Sequence, residues 1–181
     1  QAAVNIAFTQ RDRLGLEQPM PQARIASLSP FIDTAPFVAV SSKPEPTRLI
    51  SVAMMRSGDK MQSYAMLAAA LRLIEDRPWT LTIVGDGRVR AEVERLFEGF
   101  GPERLEWLGE RGAADTPGDV AGAGIYVWPG CGGAYGLAYL EAQAAGVPGV
   151  ASIATSHIAP EMLTGAELSS GDADSARGGN E

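Results

Sequence analysis

Residues 125–151 read IYVWPGCGGAYGLAYLEAQAAGVPGVA, and they set a pattern that the rest of the chain repeats. Ile125-Tyr126-Val127-Trp128 is a short apolar run closed by Pro129, the pattern of a buried strand ending at a breaker. Gly130, Gly132, Gly133 and Gly136 make the next segment a glycine loop. Apolar residues then recur at helical spacing from Leu137 to Ala145, until Gly146 and Pro148 stop the helix. A further apolar run starts at Gly149. Strand, glycine loop, helix and strand form a βαβ unit whose loop offers bare backbone N–H groups at a helix N-terminus. Phosphate is the ligand such a place favours.

Working outward, the same alternation fills the centre of the chain. Leu49 to Met54, Trp79 to Val84, Leu105 to Leu108, Ile125 to Trp128 and Gly149 to Ile153 read as strands. Lys60 to Glu75, Val89 to Phe97 and Leu137 to Ala145 read as helices, with Asp115 to Ala123 weakly helical between its glycines and proline. Met61, Tyr64, Leu67, Leu71 and Ile74 form the apolar stripe of the first helix. The fold class is therefore α/β, a doubly wound, Rossmann-like parallel sheet covered on both faces. Ligands bind such sheets beyond the carboxyl ends of the strands, where the glycine loops lie.

The flanks differ. Residues 1–47 hold a candidate helix (Ala3 to Leu14), a candidate strand (Arg24 to Leu28) and an extended run punctuated by Pro30, Pro36, Pro44 and Pro46. They read as the remnant of a larger N-terminal domain plus a linker, with residues 48–163 as the main domain. Residues 164–181 are rich in Ser, Gly and Asp with almost no apolar surface, and are expected to be a disordered tail.

Composition excludes several classes. The chain has 181 residues and a net charge of -7, with no Lys/Arg run fit to neutralise a nucleic-acid backbone. A single nucleotide needs only one or two cations. Cys131 is the only cysteine, so no disulfide framework exists and a cytoplasmic, reducing location is expected. No apolar run approaches the roughly 20 residues that span a bilayer. No signal peptide is visible at Gln1, and the absence of an initiator Met reads as a fragment or a processed start.

Several residues are candidates for chemistry, each with a plain alternative. Arg56 and Lys60 flank Ser57-Gly58-Asp59 after the first strand. Lys60 is one of two lysines, and a lysine at a helix start opposes the helix dipole unless an anion favours it. The alternative is a solvated loop pair. Gly85 and Gly87 either let a ligand approach the backbone or simply make a tight strand-to-helix turn. Glu141 is either a solvated helix carboxylate or an acceptor for the vicinal hydroxyls of a ribose. His157 is the only histidine, so a triad or a zinc site is disfavoured. Cys131 has no identifiable base and reads as a small loop residue.

Taken together, these segments resemble the C-terminal domain of glycosyltransferase family 4, retaining enzymes of the GT-B fold, from about Arg48 to Met162. WPGCGGAYGLAYLEAQAAGVP is similar to the family's proline, Glu-Gly-Phe-Gly and Glu-Ala-x-Ala-x-Gly-x-Pro run. LTIVGDGRVRAEVE resembles its strand-turn-helix, RLEWLG its next strand, and SVAMMRSGDK the segment carrying its donor Arg and Lys. The resemblance implies a nucleotide-sugar donor with UDP or GDP, no metal or other cofactor, and an acceptor that is a glycan, lipid or small molecule. It implies that Lys60 and Arg56 contact the diphosphate, that Tyr135, Gly136 and Leu137 offer N–H groups, and that Glu141 holds the ribose.

The departures are equally specific. Gly133 stands at the family's first Glu position, and its arginine falls on Met54. Its Gly-Gly falls on Ser156-His157, while Glu161 matches. The expected activity is retaining hexosyl transfer, with this chain as the donor-binding part and dependent on an N-terminal domain. A non-catalytic nucleotide-binding scaffold is the alternative. A nicotinamide-cofactor enzyme is disfavoured, because no G-x-G-x-x-G follows the first strand.

Overall fold

The computed structural model describes residues 4–41, 43–131 and 136–152. Five parallel strands make the sheet, in the order β5-β4-β3-β6-β7. They are β3 (Glu45–Val52), β4 (Thr80–Val84), β5 (Leu105–Gly109), β6 (Ala123–Val127) and β7 (Gly149–Val150). The helices between them are α3 (Asp59–Arg72), α4 (Arg90–Leu96), α5 (Thr116–Ala121) and α6 (Leu137–Ala144). From β3 the chain winds outward to β4 and β5, then returns to lay β6 against the other side of β3. This reversal is the expected doubly wound topology.

The strands read as they do because both sheet faces are covered. Leu81, Ile83 and Val84 are buried in β4, as are Leu49 and Ile50 in β3, which is the continuous apolar run of a parallel strand. Two polar residues are buried among them with their hydrogen bonds met. Ser51 Oγ donates to the Val127 carbonyl. Thr82 Oγ1 donates to Glu106 Oε2 at 2.9 Å and accepts from Arg48 Nε at 3.1 Å, a polar ladder across β3, β4 and β5. Edge-to-face aromatic pairs join the helices to the sheet: Tyr64 with Trp128 at 4.8 Å and Phe97 with Trp107 at 5.6 Å.

Several expectations on element bounds change. The first strand, expected from Leu49 to Met54, runs from Glu45 to Val52, so the sheet begins inside the run expected as linker. The helix expected from Ala3 to Leu14 is instead a strand, β1 (Asn5–Ala7), followed by α1 (Gln10–Glu17). Thr9 and Asp12 form a capping box that starts the helix there, Asp12 N–H donating to Thr9 Oγ1 at 3.1 Å and Thr9 N–H to Asp12 Oδ2 at 3.0 Å. β1 pairs in parallel with β2 (Ile25–Ser27). The proline-punctuated run contains a helical turn, α2 (Ala35–Val38), whose Phe37 is buried and which packs on α5 and α6. Finally, α3 ends at Arg72 rather than Glu75, so Ile74 leaves the stripe and its carbonyl accepts from Trp79 Nε1 at 2.9 Å. The expected tail and the end of the fifth strand lie outside the described residues.

The β3–β6 contact sets a steric limit. A Cβ on Gly124 would lie 2.4 Å from the Glu45 carbonyl oxygen and 2.7 Å from Pro46 Cα, both backbone atoms of the neighbouring strand. Nothing lies within 4 Å of a Cβ on Gly118 in α5. Gly124→Ala is expected to cost about 2 kcal/mol or more, because backbone must shift. Gly118→Ala is expected to be neutral or to gain up to about 1 kcal/mol. Urea midpoints of the two variants measure both.

Candidate functional site at the β3–β6 switch point

In a doubly wound sheet the crevice opens where the chain reverses, between the carboxyl ends of the two strands that leave in opposite directions. Here those strands are β3 and β6. The segment after β3 runs through Ala53, Met54, Met55 and Arg56 to Gly58, whose φ of 80° starts α3. The segment after β6 is Trp128, Pro129, Gly130 and Cys131. Both are tied to the helices beside them. Tyr64 Oη donates to the Ala53 carbonyl at 2.7 Å, and Tyr139 Oη donates to the Trp128 carbonyl. Cys131 N–H donates to Ser63 Oγ at 2.8 Å, and Ser63 Oγ donates to the Asp59 carbonyl at 2.8 Å, so the β6 segment is fastened to the first turns of α3.

Lys60 lies within this frame. Its ammonium sits over the Trp128 ring, 5.2 Å from the centroid. Burial lowers its pKa, the charge of Arg56 lowers it further, and Asp59 acts in the opposite direction. The two cations expected to act together are thus close enough to repel. Among the described residues, neither forms an ion pair with a carboxylate.

Gly85 and Gly87 follow β4 at the same end of the sheet, with φ of 140° and 155°. A Cβ on Gly85 would lie 2.0 Å from the Ala53 carbonyl oxygen, and one on Gly87 2.0 Å from that of Met55. Met55 N–H donates to the Asp86 carbonyl at 2.8 Å. The glycines therefore let the β4 segment lie against the β3 segment that carries Arg56. Asp86 completes the turn by accepting from Gly87 N–H at 2.7 Å and from Arg90 at 2.8 Å.

On the β6 side, Gly136 caps α6 with a φ of 65° and Leu137, exposed, is its first residue. The first-turn N–H groups of a helix have no intrahelical partner and suit an anion. Glu141 lies one turn on, half-buried, and burial raises its pKa. Its charge is felt at the Tyr126 hydroxyl, and Tyr126 packs on Tyr139 with centroids 5.0 Å apart. Gly133, Tyr135, His157 and Glu161 lie outside the described residues. The structure thus brings Arg56, Lys60, Gly85 and Gly87 to one side of the crevice and Gly136, Leu137 and Glu141 to the other.

Sequence reasoning missed Ser63, Trp128 and Tyr139 as parts of this frame. The spacing of Lys60, Ser63 and Tyr64 on one helical face was a usable signal. Trp128 looked only like the last apolar residue of a strand.

The sequence profile of the family described as Glycosyl transferases group 1 matches residues 46–176. The chain belongs to that family. It is 33% identical over 142 residues to the GDP-mannose-dependent monoacylated alpha-(1-6)-phosphatidylinositol monomannoside mannosyltransferase of Corynebacterium glutamicum. That match covers 74% of this chain and 33% of the relative, so the chain spans about a third of the relative's length. Among solved structures, TarM shares the fold at a TM-score of 0.63 and 17% identity, over 81% of this chain and 28% of TarM. Anabaena HepE in complex with UDP-glucose matches at 0.62 and 18%, over 83% of this chain and 44% of HepE. These likenesses show a common fold, as the resemblance to GT-B enzymes led us to expect. Among the described residues no helix is long and apolar enough to cross a membrane.

Glu141 gives the site a pH signature. Its folded pKa is raised above the ordinary 4.5, so between 4.5 and the raised value the folded chain holds more protons than the unfolded one. Stability contributed by Glu141 is then present at low pH and lost as pH rises through that window. Glu141→Gln is expected to remove this loss, seen as a flatter dependence of the denaturant midpoint on pH above 4.5.

Proposed function

We propose that this chain is the donor-binding part of a retaining family 4 glycosyltransferase, which takes a hexosyl group from a UDP- or GDP-sugar. The observation that carries the reading is the partly buried Lys60 ammonium, 5.2 Å from the Trp128 centroid and with Arg56 on the same segment, at the switch point of a glycosyl transferases group 1 fold. The desolvation of Lys60 and the charge of Arg56 near it are costs that a diphosphate offsets. The N-terminus of α6, with Gly136, Leu137 and the adjacent Tyr135, supplies further donors to phosphate or sugar. The Glu141 carboxylate accepts from vicinal ribose hydroxyls, which reduces the cost of keeping it charged when half-buried. Gly85 and Gly87 contribute by holding the Arg56 segment in place.

In transfer, negative charge builds on the departing nucleoside diphosphate, and the cations stabilise it without a metal ion. A GDP-sugar is favoured by the likeness to a GDP-mannose-dependent enzyme, a UDP-sugar by the likeness to HepE, which was solved with UDP-glucose. A further, N-terminal domain takes the acceptor, a glycan, lipid or small molecule, and the residues before β3 connect to it. The buried Cys131 thiol suits a cytoplasmic, reducing location. Gly133 at the family's first Glu position predicts slow transfer even where the donor binds.

Calorimetric titration with UDP, GDP, ADP and NAD tests this. One nucleoside diphosphate is expected to saturate the chain at a Kd on the order of micromolar to millimolar, with NAD silent. Lys60→Ala and Glu141→Ala are each expected to weaken it at least about tenfold, or ~1.4 kcal/mol. Unchanged affinity in both variants overturns the site. Gly133→Glu in a chain extended to the length of its relatives is expected to raise turnover.

A further inference from the structure

We propose that Trp128 is a positioning residue for Lys60: its indole face holds the ammonium in the ligand-free crevice and releases it to the diphosphate when the donor binds. This deepens the reading above and rests on it only for the identity of the ligand.

Lys60 has few favourable places to go. It is the second residue of α3, at the positive end of that helix, and Arg56 repels it. No carboxylate pairs with it among the described residues. The ammonium instead lies 5.2 Å from the Trp128 centroid, within the range where the negative face of an aromatic ring attracts a cation. Tryptophan provides the strongest such face.

The ring cannot move away to spoil this arrangement. Trp128 is 5% exposed and meets Tyr64 edge-on, at 4.8 Å and 78°. Tyr64 is itself held through its hydroxyl on the Ala53 carbonyl, and the Trp128 carbonyl accepts from Tyr139. Lys60, Ser63 and Tyr64 lie on one face of α3, so the residue that carries the cation and those that fasten the ring's segment move as one body. An unsupported lysine has four flexible methylenes and would search a wide volume. On the ring it waits beside the crevice, and the weak attraction is readily exchanged for two phosphate charges.

The chain has only two lysines, Lys43 and Lys60, so selective 13C labelling of lysine gives two sets of Hε–Cε signals. Lys43→Arg assigns them. In the ligand-free chain the Lys60 Hε signals are expected upfield of those of Lys43, from the ring current of Trp128. They should return to ordinary values in Trp128→Leu and remain partly shifted in Trp128→Phe. Saturating UDP or GDP should remove the shift in the wild-type chain, and Trp128→Leu should weaken binding about fivefold, Trp128→Phe less.

Unshifted Lys60 signals in the folded wild-type chain overturn the proposal, and this needs no variant to fold. A shift that survives nucleotide saturation overturns the release. A shifted Lys60 in a chain that binds no nucleotide sinks the functional reading while the pairing with Trp128 stands.

Discussion

Strands of a parallel sheet stop pairing at their carboxyl ends, and the carbonyls exposed there must find donors or remain costly. In this chain hydroxyl side chains meet that need at the two strands that flank the crevice. Ser51 reaches from β3 to the Val127 carbonyl, Tyr64 from α3 to that of Ala53, and Tyr139 from α6 to that of Trp128. Phenols are neutral donors at physiological pH, and burial raises the pKa of both tyrosines further. Each bond contributes only about 1 kcal/mol. Their joint effect is geometric, since they fix the segments that carry Arg56 and Cys131 relative to the helices.

Charge is distributed around this neutral frame. Among the described residues the carboxylate–arginine pairs involve other arginines, as in Asp86–Arg90–Glu94 from the β4 turn into α4 and Arg48–Glu106 across the sheet. Lys60 and Arg56 are left without such partners among the described residues, while Glu141 is kept partly from water. The two walls thus differ in charge, with cations on the α3 side and a carboxylate on the α6 side.

Much of this was legible in sequence. The alternation of apolar runs and helical stripes gave all five strands of the sheet, because a parallel sheet leaves no polar face to confuse the period. The glycine loops located the crevice, and at Gly85 and Gly87 a Cβ would meet the backbone of the β3 segment. At the N-terminal flank the reading failed where short elements depend on tertiary contacts. A three-residue strand has no periodicity, and the Thr9–Asp12 box was the only local mark of where α1 begins. The role of Trp128 was illegible because a buried indole looks the same in sequence whether it packs on leucine or carries a cation. For Gly85 and Gly87, sequence gave the need for glycine, and the structure gave the neighbour responsible: the β3 segment's own carbonyls.

The Ser51–Val127 bond joins residues 76 positions apart, and with it β3 and β6 close the longest loop of the sheet. Chain entropy opposes that closure until β4 and β5 have formed beside β3. The crevice therefore rests on the most sequence-distant pairing of β3, and β7 adds to the sheet only through β6. A nascent or partly unfolded chain that has only its β3–β4–β5 half would present Lys60 without the ring beneath it. The pairing of Lys60 with the Trp128 ring is in this sense a product of the complete sheet, since it needs β3 and β6 side by side.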